Sequence, residues 1–259
     1  MYNFEFVKPS TVDEAVAALA SEDAQALGGG QTLIPTMKQR LASPTKLVSL
    51  LGIAGMAGVS EDGGVVTIGG ATTHAEVAAA GLGAISALAG NIGDPSVRNR
   101  GTIGGSLANN DPSADYPAAA LALGATIVTN TREITADDFF DGMFTTTLED
   151  GEIITAVRFT PPAAACYQKF EQPASRFALT GVFVAKTASG VRVAVTGASE
   201  EGVHRWTEAE DALNANFSAT ALDGLSVSAD GMIADLHGSA DYRANLVKVL
   251  TQRAVVDCS

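Results

Sequence analysis

Two stretches decide how this chain is read. The first is Ala26-Leu27-Gly28-Gly29-Gly30-Gln31-Thr32-Leu33-Ile34-Pro35. The second lies about seventy residues further on, Arg98-Asn99-Arg100-Gly101-Thr102-Ile103-Gly104-Gly105-Ser106-Leu107-Ala108-Asn109-Asn110-Asp111-Pro112-Ser113-Ala114-Asp115-Tyr116-Pro117. Three successive glycines remove every β-carbon from a tight turn, so its amides can approach a ligand closely. Successive backbone N–H groups can form an anion nest. In the second stretch the amides of residues 101–106 are joined by the hydroxyls of Thr102 and Ser106 as donors. Two such loops, one for each side of a pyrophosphate, suit a dinucleotide. Neither is one of the common phosphate loops: there is no G-x-x-x-x-G-K before Ser or Thr, and no G-x-G-x-x-G opening a helix. Taken alone, residues 28–32 read equally well as an ordinary strand-to-helix turn.

Outward from the first loop the pattern is a small α/β unit. Phe4-Glu5-Phe6 reads as a short edge strand closed by Pro9. Thr11 and Glu14 form a capping box, and Val12, Ala15, Val16 and Leu19 share a helical face. A strand over 24–27 runs into the glycines, followed by a helix over 33–41 and a strand over 46–50. Beyond them Gly63-Gly64 turns into a strand over 65–69, Thr73 and Glu76 box another helix start, and 82–88 reads as helix. Residues 91–113 carry glycine, asparagine and proline at short intervals, which makes regular structure costly and predicts a functional loop. A small-residue helix over 116–123 ends at Gly124. Strands over 125–129 and 153–159 follow, and Pro161-Pro162 marks a domain boundary. The last third predicts strands over 166–170, 178–185 and 191–196, the last two a hairpin around Gly190. Thr207 and Glu210 read as the capping box of a helix over 207–216. Tyr242, Leu246, Val249, Leu250 and Arg253 repeat at helical spacing.

The bulk numbers narrow the function classes. Of 259 residues 46% are hydrophobic and 27 are glycine, which suits a folded chain rich in turns. The formal charge of -13, from 16 basic and 29 acidic residues, sets aside nucleic acid and anionic lipid as partners. Cys166 and Cys258 make no disulfide framework or zinc ribbon, and leave a single bridge open. His74, His204 and His237 are isolated, without metal-ligand spacing, and read as surface or cap positions. The N-terminal stretch, without a basic region followed by an apolar core, is not expected to be a signal peptide, and no apolar run reaches the roughly 18 residues of a membrane span. A cytoplasmic protein is expected, an association with the inner face of the membrane included. No nucleophile elbow and no catalytic acid or base stands out, which fits chemistry carried by a bound cofactor.

With the two loops in this order and spacing, the chain resembles the FAD-binding medium subunits of molybdenum hydroxylases, the family of aerobic carbon monoxide dehydrogenase. It is also similar to the flavin domain of xanthine dehydrogenase. The likeness runs from the N-terminal F-x-x-P through both loops to the terminal Y-R-x-x-L-x-x-V-L-x-x-R-A. It implies an α+β protein with a two-subdomain FAD-binding fold of the molybdenum hydroxylase and vanillyl-alcohol oxidase type. The subdomains would cover 1–53 and 54–162, and a C-terminal domain over 163–259 would combine a three-stranded antiparallel sheet with helices. It further implies a large molybdopterin subunit carrying molybdopterin cytosine dinucleotide and a small iron–sulfur subunit carrying two 2Fe-2S clusters. Two heterotrimers would assemble. Electrons would pass from the clusters to FAD and on to an external acceptor.

The residues expected to hold FAD are Gly28, Gly29, Gly30, Gln31, Thr32 and Leu33 of the first loop and Gly101, Thr102, Ile103, Gly104, Gly105 and Ser106 of the second, with Asn109 and Asp115 after it. The resemblance gives Asp115 the role of accepting ribose or ribityl hydroxyls, whereas Asp111-Pro112 reads as a turn initiator. Arg98 and Arg100 either offset phosphate charge or pair with the acidic surface. The resemblance also places the strand of Lys46, Leu47 and Val48 near the flavin, although core packing suits Leu47. Tyr167, Lys169 and Phe177 open the domain that closes over the isoalloxazine. Some relatives carry tyrosine where this chain has Phe177, and an acidic residue where it has Arg176. The alternatives are a self-contained FAD-dependent oxidase and an assembly protein that has lost its cofactor.

Overall fold

The computed structural model describes residues 1–258, in three sheets. The first is built from β1 (Glu5–Val7), α1 (Val12–Leu19), β2 (Ala24–Leu27), α2 (Leu33–Lys38) and β3 (Lys46–Ser49). Its three strands are parallel, in the order β1-β3-β2. Central β3 buries Leu47, Val48 and Ser49, and the edge strands stay largely exposed. The Thr11 hydroxyl caps α1 by accepting from the Glu14 N–H at 3.2 Å. The Glu14 carboxylate, however, turns to the N–H and hydroxyl of Ser10, so the expected reciprocal box is displaced by one residue.

The second sheet follows β4 (Val59–Asp62) and β5 (Val65–Gly69) with five helices: α3 (His74–Ala79), α4 (Ala84–Gly90), α5 (Pro95–Arg98), α6 (Ile103–Asn109) and α7 (Tyr116–Ala122). Then come β6 (Thr126–Thr129), β7 (Glu133–Thr135), α8 (Ala136–Phe139) and β8 (Ile154–Phe159). The strand order is β4-β5-β8-β6-β7, antiparallel throughout. The full capping box of Thr73 and Glu76 opens α3. Residues 91–113, expected as loop, instead contain α5 and α6. Asp94 caps α5, with Pro95 fixing φ in its first turn. Thr102 caps α6 by accepting from the Gly105 N–H. Those caps offset the glycine content that made a helix look costly.

All seven residues of α7 are buried. Ala118, Ala119, Ala120 and Ala122 share a core with Ile127 and Val157 of the second sheet and with Phe183, Ala185 and Ala194 of the third. A helix touched from both sides cannot carry large side chains all round, so its alanines are a packing requirement.

The third sheet comprises β9 (Ala164–Glu171), β10 (Ala178–Thr187), β11 (Gly190–Thr196) and β12 (His204–Arg205), in the order β12-β11-β10-β9. The three expected strands are there, and the two-residue β12 adds a fourth at the edge. Gly190, at φ +127°, turns β10 into β11. Two helices cover this sheet, α9 (Thr207–Ala215) and α10 (Ala240–Asp257). The expected box at Thr207 is absent: Trp206 occupies the cap, and the Glu210 carboxylate accepts instead from the Val193 N–H and the Arg205 guanidinium. The helix expected from the spacing of Tyr242, Leu246, Val249, Leu250 and Arg253 is α10. Arg243, Leu246, Val247, Leu250 and Ala254 face the sheet, and Tyr242 and Arg253 stay outside. Arg243 can be buried because its Nη1 donates to the carbonyls of Leu179 and Gly197 and its Nη2 to Asp235. Among the described residues no helix is long and apolar enough to cross a membrane.

Candidate functional site

A cleft of about 620 Å³ is flanked by the loop after β2 and by the start of α6. It is lined by Gly28, Gly29, Gly30, Gln31, Thr32 and Leu33 on one side and by Gly101, Thr102, Gly104, Gly105, Ser106 and Asn109 on the other, with Asp115 and Phe177. Ile103 does not line it; its side chain is buried in the core shared with Leu107 and Tyr116.

Glycine is what lets the two loops touch. A β-carbon on Gly29 would lie 1.9 Å from the Arg100 carbonyl oxygen and 2.6 Å from the Gly101 Cα. One on Gly104 would lie 2.6 Å from the Gly70 oxygen. Gly30 adopts φ +72°, a left-handed conformation that glycine tolerates without strain.

The amides of the two loops have different fates. In the second loop Gly101 donates to Val97 O, Ile103 to Thr72 O, Gly104 to Gly70 O and Ser106 to Thr102 O, all at 2.8–3.1 Å. The Gly105 N–H is held by the Thr102 hydroxyl. Five of the six amides are thereby engaged within the chain, and those of Ile103 and Gly104 secure α6 to Thr72 and Gly70, just beyond β5. In the first loop, among the described residues, no oxygen accepts from the N–H of Gly28, Gly29, Gly30, Gln31 or Thr32. Unpaired donors persist only where water or a ligand reaches them, and these line the cleft. The first loop is therefore the one that presents a run of free amides to the cleft. The second is the wall against which it is set.

Asp115 is 4% exposed. Its carboxylate accepts from the Tyr167 hydroxyl at 2.6 Å and pairs with Lys169 Nζ at 3.0 Å. Burial raises the Asp115 carboxyl above its usual range, against the Lys169 charge and the Tyr167 hydrogen bond. The same burial, with Asp115 beside it, pushes the Tyr167 phenol up. Lys169 also donates to Asn91 O at 3.1 Å and stands behind Asp115, outside the cleft lining. Two carboxylate oxygens offer about four acceptor sites, so capacity remains for a ligand hydroxyl. Phe177 stands at the rim, 45% exposed, just after Arg176 at φ +59°.

Other expected positions resolve differently. Asp111 accepts from the Ser113 N–H at 2.8 Å, the turn expected of it. Arg98 reaches neither phosphate space nor an acidic partner; its Nη1 donates to the carbonyls of Ile92 and Gly93. Arg100 contributes its carbonyl, against which Gly29 rests. Leu47 and Val48 are core, and Lys46 pairs outward with Glu5 and Ser21. Cys166 and Cys258 are both free. His74, expected as a surface or cap position, is the first residue of α3, only 5% exposed, and lines the cleft. The lining also includes Glu152, which sequence reading missed. Arg132, with Thr129 and Thr131, holds that carboxyl at about 2. These partners come from a turn some twenty residues earlier, and no local pattern announces them.

This chemistry fits a dinucleotide: a run of free amides for the diphosphate, a buried carboxylate for a hydroxyl, and an aromatic rim. Comparison with known proteins agrees. Residues 2–162 match the family described as FAD binding domain in molybdopterin dehydrogenase. The nicotine 6-hydroxylase medium subunit of Paenarthrobacter nicotinovorans is 34% identical over 97% of this chain and 96% of its own length. The carbon monoxide dehydrogenase medium chain of Afipia carboxidovorans is also 34% identical, over 98% of this chain and 96% of its own. The solved structure of reconstituted CO dehydrogenase from Oligotropha carboxidovorans superposes with a TM-score of 0.91 at 31% identity, over 99% of this chain and 98% of that one. The fold, the paired loops and these full-length likenesses agree: the chain belongs to the FAD-binding medium-subunit family of the molybdenum hydroxylases, as an oxidoreductase component.

Proposed function

We propose that this chain is the FAD-binding subunit of a molybdenum hydroxylase complex. It accepts electrons from the 2Fe-2S clusters of a small iron–sulfur subunit and passes them to an external acceptor. Substrate is oxidised in a large subunit holding molybdopterin cytosine dinucleotide. Division of the chain into 1–53, 54–162 and 163–259, and work in the cytoplasm or at the inner face of the membrane, belong to the same reading.

The observation that carries it is the set of unpaired amides from Gly28 to Thr32, facing a wall in which the amides of Gly101 and of residues 103–106 are engaged within the chain. In this reading those amides hold the diphosphate, Asp115 accepts a sugar or ribityl hydroxyl, and Phe177 shields one side of the ring system from water. FAD, when bound, supplies the exchange between two-electron and one-electron chemistry. The protein supplies placement and electrostatics. Two medium subunits similar to this one carry names that refer to nicotine and to carbon monoxide. Likeness at this level therefore supports the electron-transfer role and leaves the substrate to the partner.

The test is flavin content. The purified full-length chain is expected to bind about one FAD non-covalently, and acid precipitation should release it into the supernatant. Yellow colour on the washed pellet would overturn non-covalent attachment. Failure of the folded apoprotein to take up FAD would overturn the function itself.

A further inference from the structure

We propose that His74 is a ligand-contacting residue of the cleft, its Nε2 donating a hydrogen bond to an oxygen of bound FAD. This rests on the function proposed above and adds a contact beyond the two loops and Asp115. His74 is the first residue of α3, and its backbone N–H donates to Gly101 O at 2.9 Å. Its ring is thereby set against the second loop. A β-carbon on Gly101 would lie 2.5 Å from Nε2 and 2.8 Å from Cδ2, so glycine at 101 is what admits the imidazole. The other face meets Tyr116, with ring centroids 5.3 Å apart and planes inclined by 48°.

The two nitrogens are in different positions. Nδ1 is fully buried and has no partner. Nε2 has no partner within the chain either, but it is not among the fully buried atoms, and the residue lines the cleft. Nε2 is therefore the nitrogen that a ligand can meet. Burial, helped by the Arg98 charge, lowers the imidazole to about 4, so the ring is neutral near pH 7 and carries one proton. An orphaned buried N–H is rarer than an under-used acceptor, which places that proton on Nε2 and leaves Nδ1 as a bare lone pair. Packing alone does not call for imidazole here. Phenylalanine would fill the space beside Tyr116 without leaving a buried ring nitrogen unpartnered. A neutral donor is also suited to a flavin or ribityl oxygen, which carries no full charge.

The experiment titrates FAD into wild-type apoprotein and the His74→Phe and His74→Gln variants. It also follows the His74 imidazole in two-bond 1H–15N spectra of the wild type. His74→Phe should bind FAD about fivefold to tenfold more weakly, the worth of one neutral hydrogen bond. His74→Gln, which keeps a donor, should recover most of that loss. The Nε2 resonance should move on FAD addition more than Nδ1 does. Unchanged affinity in a folded His74→Phe variant would overturn the proposal, as would an Nε2 resonance that ignores FAD. The spectra need no variant to fold. If wild-type apoprotein takes no FAD, the proposed function fails and this contact with it; if wild type binds FAD with Nε2 silent, this proposal alone fails.

Discussion

Gly29 carries the most constraint of any residue in the cleft. The glycine run was legible as a place needing space, but a sequence does not say from which side the neighbour comes. At Gly29 it is the backbone of Arg100 and Gly101, at Gly104 the backbone of Gly70, and at Gly105 only the Thr102 hydroxyl at 2.9 Å. Backbone cannot swing aside as a side chain can. Gly29→Ala should therefore force the loops apart, destabilising the protein by about 1–3 kcal/mol and abolishing FAD uptake. Gly105→Ala should do much less to the fold, since a helix interior favours alanine over glycine by about 1 kcal/mol and only one hydroxyl must yield. Thermal unfolding of both apoproteins, with FAD titration, checks this. Equal behaviour of the two variants would mean that the close approach of the loops does not matter. His74 was the residue least legible in the sequence: after a Thr73 cap, the first helical position reads as exposed, and only the tertiary approach of Gly101 buries it.

Elements were legible where they were long or patterned. β10 and β11 announce themselves through β-branched runs around Gly190, and α3 through its capping box. β7 and α8, at three and four residues, are too short to establish a period. α5 and α6 were hidden by their glycines and proline, although Asp94-Pro95 and Thr102 are valid start signals. Burial of Arg243 in α10 was not legible, because the two carbonyls and the carboxylate that accept from it come from other elements. The join between β9 and the turn before α7 gives the element-scale prediction. Lys169 and Asp115 have side chains 3% and 5% exposed. Removing one partner leaves the other charge buried and unpaired, at a cost of about 3–5 kcal/mol. Lys169→Met should cost stability on that scale in urea unfolding, and the double variant with Asp115→Asn should recover part of it. A loss below about 1 kcal/mol for Lys169→Met would show that the pair does not hold β9 to the cleft.

At the scale of the whole molecule, the two loops and their spacing were enough to reach the family, because both sides of one ligand site impose themselves on the sequence. The sharing of one core by α7, the second sheet and the third was not legible: alanines mark close packing without naming the partner. The shared core matters for function because it ties the sheet carrying Tyr167 and Lys169, with Phe177 just before β10, to the helices that build the cleft wall. The cleft is thus shaped by all three sheets of one chain, while in the proposed function the centre that oxidises substrate belongs to another subunit. The flavin in the isolated chain should then be reducible by a strong chemical reductant but not by carbon monoxide, nicotine or an aldehyde. Co-expression with the molybdopterin and iron–sulfur subunits should give a particle with two copies of each chain, in which substrate bleaches the flavin absorbance. The charge of -13 does not oppose this, since complementary charge on partner surfaces offsets it at a large interface. Light scattering with subunit stoichiometry, and anaerobic absorbance spectra before and after substrate, decide the matter. Rapid bleaching of the flavin by an organic substrate in the isolated chain would make it a self-contained oxidase and overturn the subunit assignment.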